Sequence, residues 1–200
     1  MSLTGQRGPA EHERREQILA AANQHFRRYG YSKTTVADLA QAIGLSSAYI
    51  YKFFESKQAI GEAICALVLG EISAELRKIA QHSEPVAERL RLIYLSLARL
   101  GAQLLFNERE LFDLAATACA ENWPVIMVHR AAIQEVIRDL IVQGREVGEF
   151  ERKTPIDETC RAVLNTTEPF WNPEQLRHHL EGLNERALLM ANLVLRSLAR

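Results

Sequence analysis

Apolar residues recur at three- and four-residue spacing through almost the whole of this 200-residue chain, and no stretch alternates apolar and polar side chains as a half-buried strand does. That period restricts the fold to helices, each of which must bury a stripe against another helix. About nine are expected, in an all-α protein. The first covers 11–29, with Ile18, Leu19, Ala22 and Phe26 inward and Gly30 as its stop. The second covers 36–43 and places Val36, Leu39, Ala40 and Ile43 on one face. Thr35 and Asp38 fit a capping box at its start, and Gly44 suits a left-handed end. The third covers 47–54, capped by Ser46 or Ser47 and broken at Glu55-Ser56. The fourth runs from Lys57 towards Ala80, with Ile60, Ala63, Ile64, Leu67, Val68 and Ile72 inward. Pro85 opens a fifth, in which Val86, Leu90, Ile93, Leu97, Leu100 and Leu104 form a bundle seam. Helices follow over 108–120, from Pro124 to about 144–148, and from Pro155 to about 166. An aromatic connection, Pro169 to Pro173, leads to a last helix from Glu174 almost to Arg200.

Composition excludes several classes. With 48% hydrophobic and 24% charged residues and a net charge of −1, the chain is an ordinary globular sequence. No stretch reaches the roughly 18 uncharged apolar residues of a membrane span. The first sixteen residues lack the apolar centre of a signal peptide, so a cytoplasmic location is expected, without a membrane partner. Cys65, Cys119 and Cys160 are odd in number and widely spaced, which suits buried thiols in a reducing compartment; redox sensing is the alternative. There is no glycine-rich phosphate loop and no HExxH motif. Of six histidines only His178 and His179 are adjacent, and neighbours on a helix point about 100° apart, a poor metal pair. The expectation is therefore no enzyme, no metal and no cofactor.

The most informative segment lies between Thr34 and Lys57. Two short helices are joined by Ile43-Gly44-Leu45-Ser46, a turn tight enough for the second to cross the first, and Leu39, Ile43, Leu45 and Ile50 can lock the pair. The second of these helices carries Ser46, Ser47, Tyr49, Tyr51 and Lys52 beside Ile50, Phe53 and Phe54. A helix that reads a DNA major groove needs this division, polar reach on one side and a core anchor on the other. Charge agrees. Up to Lys57 there are eight basic and five acidic residues; beyond it, sixteen and twenty.

Thr34-Thr35-Val36-Ala37-Asp38-Leu39-Ala40, Gly44-Leu45-Ser46 and Ile50-Tyr51-Lys52-Phe53-Phe54-Glu55-Ser56-Lys57 together resemble the signature of the TetR (tetracycline-repressor) family, from about Arg14 to Ile64. The resemblance implies a DNA-binding domain over 1–56 and a helical effector-binding and dimerisation domain over 57–200. Thr34, Tyr51 and Lys57 match positions that grip phosphates. Ser46, Ser47, Tyr49 and Lys52 match positions facing base edges or the adjoining backbone. Ala48 stands where the family often has glycine, and Phe53 where it commonly has His or Tyr. Arg7, Arg14 and Arg15 form a basic arm that either reaches the minor groove or a phosphate or is simply solvated.

In the body, Phe106, Phe112, Trp123, Met127, His129, Arg130, Phe170 and Trp171 are the candidate effector-binding residues, bulky apolar walls with a few polar handles. The cationic pair His129-Arg130 points to an acidic or phenolic effector. The last helix has two apolar stripes. Leu176, Leu180, Leu183, Ala187, Met190 and Val194 form one; Leu188, Ala191, Leu195 and Leu198 form the other. Two stripes require two partners. The second stripe, with Cys160, Val163 and Leu164 of the preceding helix, is the expected homodimer interface. The resulting expectation is a transcriptional regulator, a repressor of nearby genes that binds a double-stranded inverted-repeat operator and is released by a small molecule. Two alternatives stand beside it: an architectural DNA-binding protein without effector, and a helical ligand-binding or enzymatic domain that does not use DNA.

Overall fold

Side-chain caps and left-handed residues set the helix limits of this protein, whose computed structural model describes residues 9–178 and 180–200. α1 (Pro9–Tyr29) stops at Gly30, and α2 (Val36–Ala42) begins with the full capping box. Thr35 Oγ1 accepts from the Asp38 amide at 3.2 Å, and the Asp38 carboxylate accepts from the Thr35 amide at 2.8 Å. α3 (Ser47–Ile50) is shorter than the expected 47–54. After one turn the bonds tighten to the i+3 pattern, Lys52 N–H to Tyr49 and Phe53 N–H to Ile50, which swings Phe54 into the core. α4 (Lys57–Ala80) is capped by Ser56, whose hydroxyl accepts from the Ala59 amide at 3.0 Å.

α5 (Val86–Asn107), α6 (Arg109–Ala120), α7 (Pro124–Glu146) and α8 (Ile156–Thr167) follow, three of them with a proline at or just before the first turn. The expected single last helix is two. After a 3-10 turn (Glu168–Phe170), α9 (Pro173–Arg177) ends, and α10 (Leu183–Leu198) starts only after Gly182. Gly182 has φ +62°, a left-handed conformation that glycine adopts without strain and that reverses the chain. Leu176 and Leu183 are thereby buried from two helices, although their spacing also fits one. No strand occurs among the described residues; a single antiparallel bridge joins Phe150 to Ala199.

Two hydrophobic cores result. One holds Ile18, Phe26, Leu39, Ile50, Phe54, Ile60 and Ile64 with Leu111, Leu114 and Trp123. The other holds Leu76, Leu90, Ile93, Tyr94, Leu97, Ile137, Leu140, Leu164 and Ala191. α4 passes from the first into the second, so its upper and lower halves serve different cores. Leu67, expected inward, is exposed, and Leu69 takes the inward position.

Candidate DNA interface and ligand cavity

The helix-turn-helix leaves most of the expected DNA-facing residues at least partly open to solvent. Ser46 caps α3, its hydroxyl accepting from the Tyr49 amide at 3.2 Å. Tyr51 and Lys52 are exposed, and Ser47 is half-buried at the first turn. Tyr49 is held on two sides, 5.4 Å from the Phe53 ring and with the Lys52 ammonium 5.4 Å over its own ring. Lys57 opens α4 with its ammonium 4.2 Å from the centroid of Tyr31. Burial lowers its pKa from the ordinary lysine value.

Thr34 departs from its expected role. It is 1% exposed, and its hydroxyl donates to the Gly30 carbonyl at 2.7 Å with His25 Nδ1 3.2 Å away. Its one proton is spent on closing the α1–α2 turn, so it braces the domain instead of meeting a phosphate. Arg15 lies 4.7 Å over Phe54, Arg14 bonds Gln17, and Arg7 lies outside the described residues.

Tyr31 is the residue that sequence reasoning missed. Besides carrying Lys57, it packs edge-on against Trp123 at 5.5 Å and against Phe26 at 5.3 Å. Trp123 is buried, donates to Glu121 at 2.8 Å and faces Gly61. It therefore belongs to the seam between the DNA-binding core and the body, not to an effector wall. Arg27 pairs with Glu108 across the same seam. A lone aromatic after a helix-stop glycine offers no periodic signal, which is why Tyr31 escaped notice.

The body encloses a cavity of about 20 Å³, room for one water, where α4, α5, α6, α7 and α9 converge. Phe112, His129 and Trp171 line it, with Gly101, Cys119 and Leu176 among others. The remaining expected effector residues lie elsewhere. Phe106 and Met127 are 69% and 66% exposed. Arg130 turns away to Glu168 and Asn165. Phe170 packs edge-on against Tyr94 in the core. His129 is buried, and its Nδ1 lies 3.2 Å from Ser73 Oγ while Nε2 has no partner. Burial pushes its pKa down to about 4, so the ring is neutral. The expected cationic pair is not cationic within the cavity. Burial likewise pushes Cys65 up to about 12 and Cys119 up to about 11 and raises Cys160, so all three stay thiols.

Of the expected dimer residues, Cys160, Val163, Leu164, Ala191 and Leu198 are buried within the one chain, because α8 and α10 turn these side chains into their own core. Leu195 is half-buried and Leu188 is exposed. The apolar side chains that α10 leaves most open are Leu189 and Leu193, each 59% exposed and one turn apart.

Among the described residues no group of three metal-ligating side chains occurs, and no helix is long and apolar enough to cross a membrane. Residues 18–64 match the bacterial regulatory proteins of the tetR family, and residues 86–189 match the tetracyclin repressor-like C-terminal domain. The nucleoid occlusion factor SlmA of Vibrio vulnificus is 32% identical over 103 residues, 51% of this chain and 50% of that protein. The chain thus spans about half the length of such relatives. The HTH-type transcriptional repressor KstR2 of Mycobacterium tuberculosis is 25% identical over 158 residues, 77% of this chain and 78% of the repressor. In three dimensions, a TetR-family transcriptional regulator from Pectobacterium atrosepticum superposes with a TM-score of 0.76 at 19% identity, covering 96% of this chain and 98% of that one.

Proposed function

The chain belongs to the TetR family of bacterial regulatory proteins, and we propose that it is a DNA-binding transcriptional repressor that works as a homodimer on an inverted-repeat operator near its target genes and is released by a small molecule bound in its body. The observation that carries this reading is the serine-capped α3 of a helix-turn-helix in which Ser47, Tyr49, Tyr51, Lys52 and Lys57 all stay at least partly exposed. α3 would enter the major groove, with Ser47 and Tyr49 nearest the base edges. Tyr51, Lys52 and Lys57 would meet the phosphates on either side, and the shelf under Lys57 fixes where its charge sits. The same shelf, Tyr31, rests on Trp123 at the top of the body. A ligand that fits the body better in a conformation that moves this seam would displace Lys57 from its phosphate; only such differential affinity shifts the equilibrium.

Selection from random DNA followed by gel-shift titration tests the reading. An inverted repeat with half-sites about one helical turn, or a multiple, apart is expected. Lys57→Ala should weaken binding to every sequence alike and lower the salt slope by about one. Substituting Ser47 or Tyr49 should change the preferred bases. Absence of any selected motif overturns the regulator reading; an unchanged salt slope removes Lys57 from it.

A second reading, a DNA-binding architectural protein without effector, is favoured by the nearly closed body and by the likeness to nucleoid occlusion factors. An operator complex that no compound handled by the neighbouring genes dissociates would support it.

A further inference from the structure

We propose that the buried cavity of the body is the recognition end of the effector site, and that it takes a small, neutral, mainly apolar molecule whose single hydroxyl donates to His129 Nε2. The proposal rests on the effector-released reading above and names the chemistry of its ligand.

The argument starts with Ser73. Its hydroxyl donates to the Leu69 carbonyl one turn back on α4, at 2.9 Å. A hydroxyl has one proton, so towards His129 at 3.2 Å Ser73 can only accept. On this pairing the ring proton is assigned to His129 Nδ1. A neutral imidazole protonated at Nδ1 has a bare lone pair at Nε2. That atom is buried and has no partner among the described residues. An unsatisfied buried acceptor costs free energy, so the site is built to receive a donor.

The surroundings decide which donor. Leu69, Leu97, Phe112, Ile126, Trp171 and Leu176 present carbon, and no Lys, Arg, Asp or Glu is among the described residues that line the cavity. A carboxylate or phosphate would be buried there without a counter-charge, and an ammonium would meet a neutral ring; both are costly. A hydroxyl on an apolar body matches both the lone pair and the walls. The Trp171 ring stands edge-on to His129 at 5.5 Å, which favours a flat aromatic body beside the imidazole.

Size sets the remaining condition. A benzene-sized ligand needs about 150 Å³, and the closed cavity holds one water. The wall able to yield is the one formed by Trp171, Pro173 and Leu176. Trp171 directly follows a 3-10 turn, and Pro173 and Leu176 lie on a five-residue helix, whereas the other walls are long helices. Gly101 has no side chain to hold this wall off; a Cβ there would come within 2.6 Å of the Phe170 carbonyl oxygen. The ligand hydroxyl fills the water-sized space at Nε2, and the apolar body presses the Trp171 segment outward.

Calorimetric titration of the full-length protein with para-propylphenol, para-propylanisole, propylbenzene and para-propylbenzoate tests this. The phenol should bind at least about tenfold more tightly than the ether or the hydrocarbon, and the benzoate most weakly. His129→Leu should bring phenol and anisole to within about twofold of one another; His129→Gln, which keeps an acceptor, should retain part of the preference. NMR of the histidine ring should find His129 protonated at Nδ1 in the unliganded wild type, a result that does not depend on any variant folding. Equal affinity for phenol and anisole, preference for the benzoate, no binding by any of the four, an unaltered preference in a folded His129→Leu, or a proton on Nε2 would each overturn the proposal. Gel shifts on the same samples separate the two readings. A phenol that binds through His129 but leaves the operator complex intact overturns effector release while the cavity chemistry stands.

Discussion

At the scale of single residues, burial changes what a side chain can do. Thr34 and Thr35 are neighbours of one type, yet one is closed on the Gly30 carbonyl and the other caps α2. Lys57 keeps its charge at the surface because Tyr31 supports it. His129 shows the largest consequence, and it governs the response of stability to acid. In the unfolded chain this ring takes a proton below about pH 6.5, whereas in the folded protein it does so only near pH 4. Between these values the unfolded state binds the proton and the folded state does not, so stability falls as the pH falls and the loss levels off below about pH 4. At about 1.4 kcal/mol per pH unit, this one ring removes about 3 kcal/mol. The carboxylates of Asp38, Glu151 and Asp157, whose pKa values are lowered by hydrogen bonds, act in the same direction. Urea unfolding of the wild type and of His129→Gln across this range isolates the histidine. The stability difference between them should shift in favour of the variant as pH drops, and a constant difference would show that the ring titrates normally.

At the scale of elements, helix ends are completed by distant parts of the chain. α5 has no side-chain cap of its own; Pro85 stands at its N-cap. The Glu149 carboxylate instead accepts from the Val86 amide at 3.1 Å and from the Ala87 amide at 2.8 Å. It places a negative charge at the positive end of a 22-residue helix. The α7–α8 connection that carries Glu149 is itself pinned, since the Glu151 amide donates to the Leu198 carbonyl at 2.8 Å. Glu149→Ala should cost about 1 kcal/mol, seen as a lower urea midpoint with unchanged slope, and Glu149→Gln should recover part of the loss. A midpoint equal to the wild type would mean that water caps α5 equally well.

At the scale of the whole molecule, the two cores meet where Ile72 of α4 and Leu104 of α5 pack against both, so the DNA-binding core and the body are joined by packed side chains. A single α3 reads a short stretch of DNA, and a fixed pair gains both affinity and length of site. The surface we propose for pairing is the outer face of α10. Its inner face packs on α5, and Leu189 and Leu193 remain open. Leu193→Glu would bury an unpaired charge twice across a two-fold axis, at a cost of several kcal/mol. Analytical ultracentrifugation should find a dimeric wild type and a monomeric variant of unchanged helical content, with operator affinity lost alongside. A variant that stays dimeric would place the interface on another face.

How much of this was legible beforehand follows from the range of the forces concerned. The first eight helices, the capping box at Thr35, a serine cap at Ser46 or Ser47, the stops at Gly30 and Gly44 and the helix-turn-helix depend on residues within a few positions of each other, so the sequence alone determined them. The family resemblance supplied the candidate DNA-facing residues, and it did not foretell that Thr34 is buried. What depends on two helices meeting was decided only in three dimensions. Periodicity marks which residues are apolar but not which partner covers them. Ala191, Leu198, Val163 and Leu164 therefore read as an interface with a second subunit although they are buried in the body's own core. The same spacing that suggested one long final helix is also met by two helices reversing at Gly182, because both bury Leu176 and Leu183. His129 and Arg130, adjacent in sequence, point about 100° apart on α7. That rotation sends one to a neutral, apolar cavity and the other to Glu168 at the surface, and tertiary packing alone supplies the Ser73 hydroxyl that sets the histidine's free lone pair.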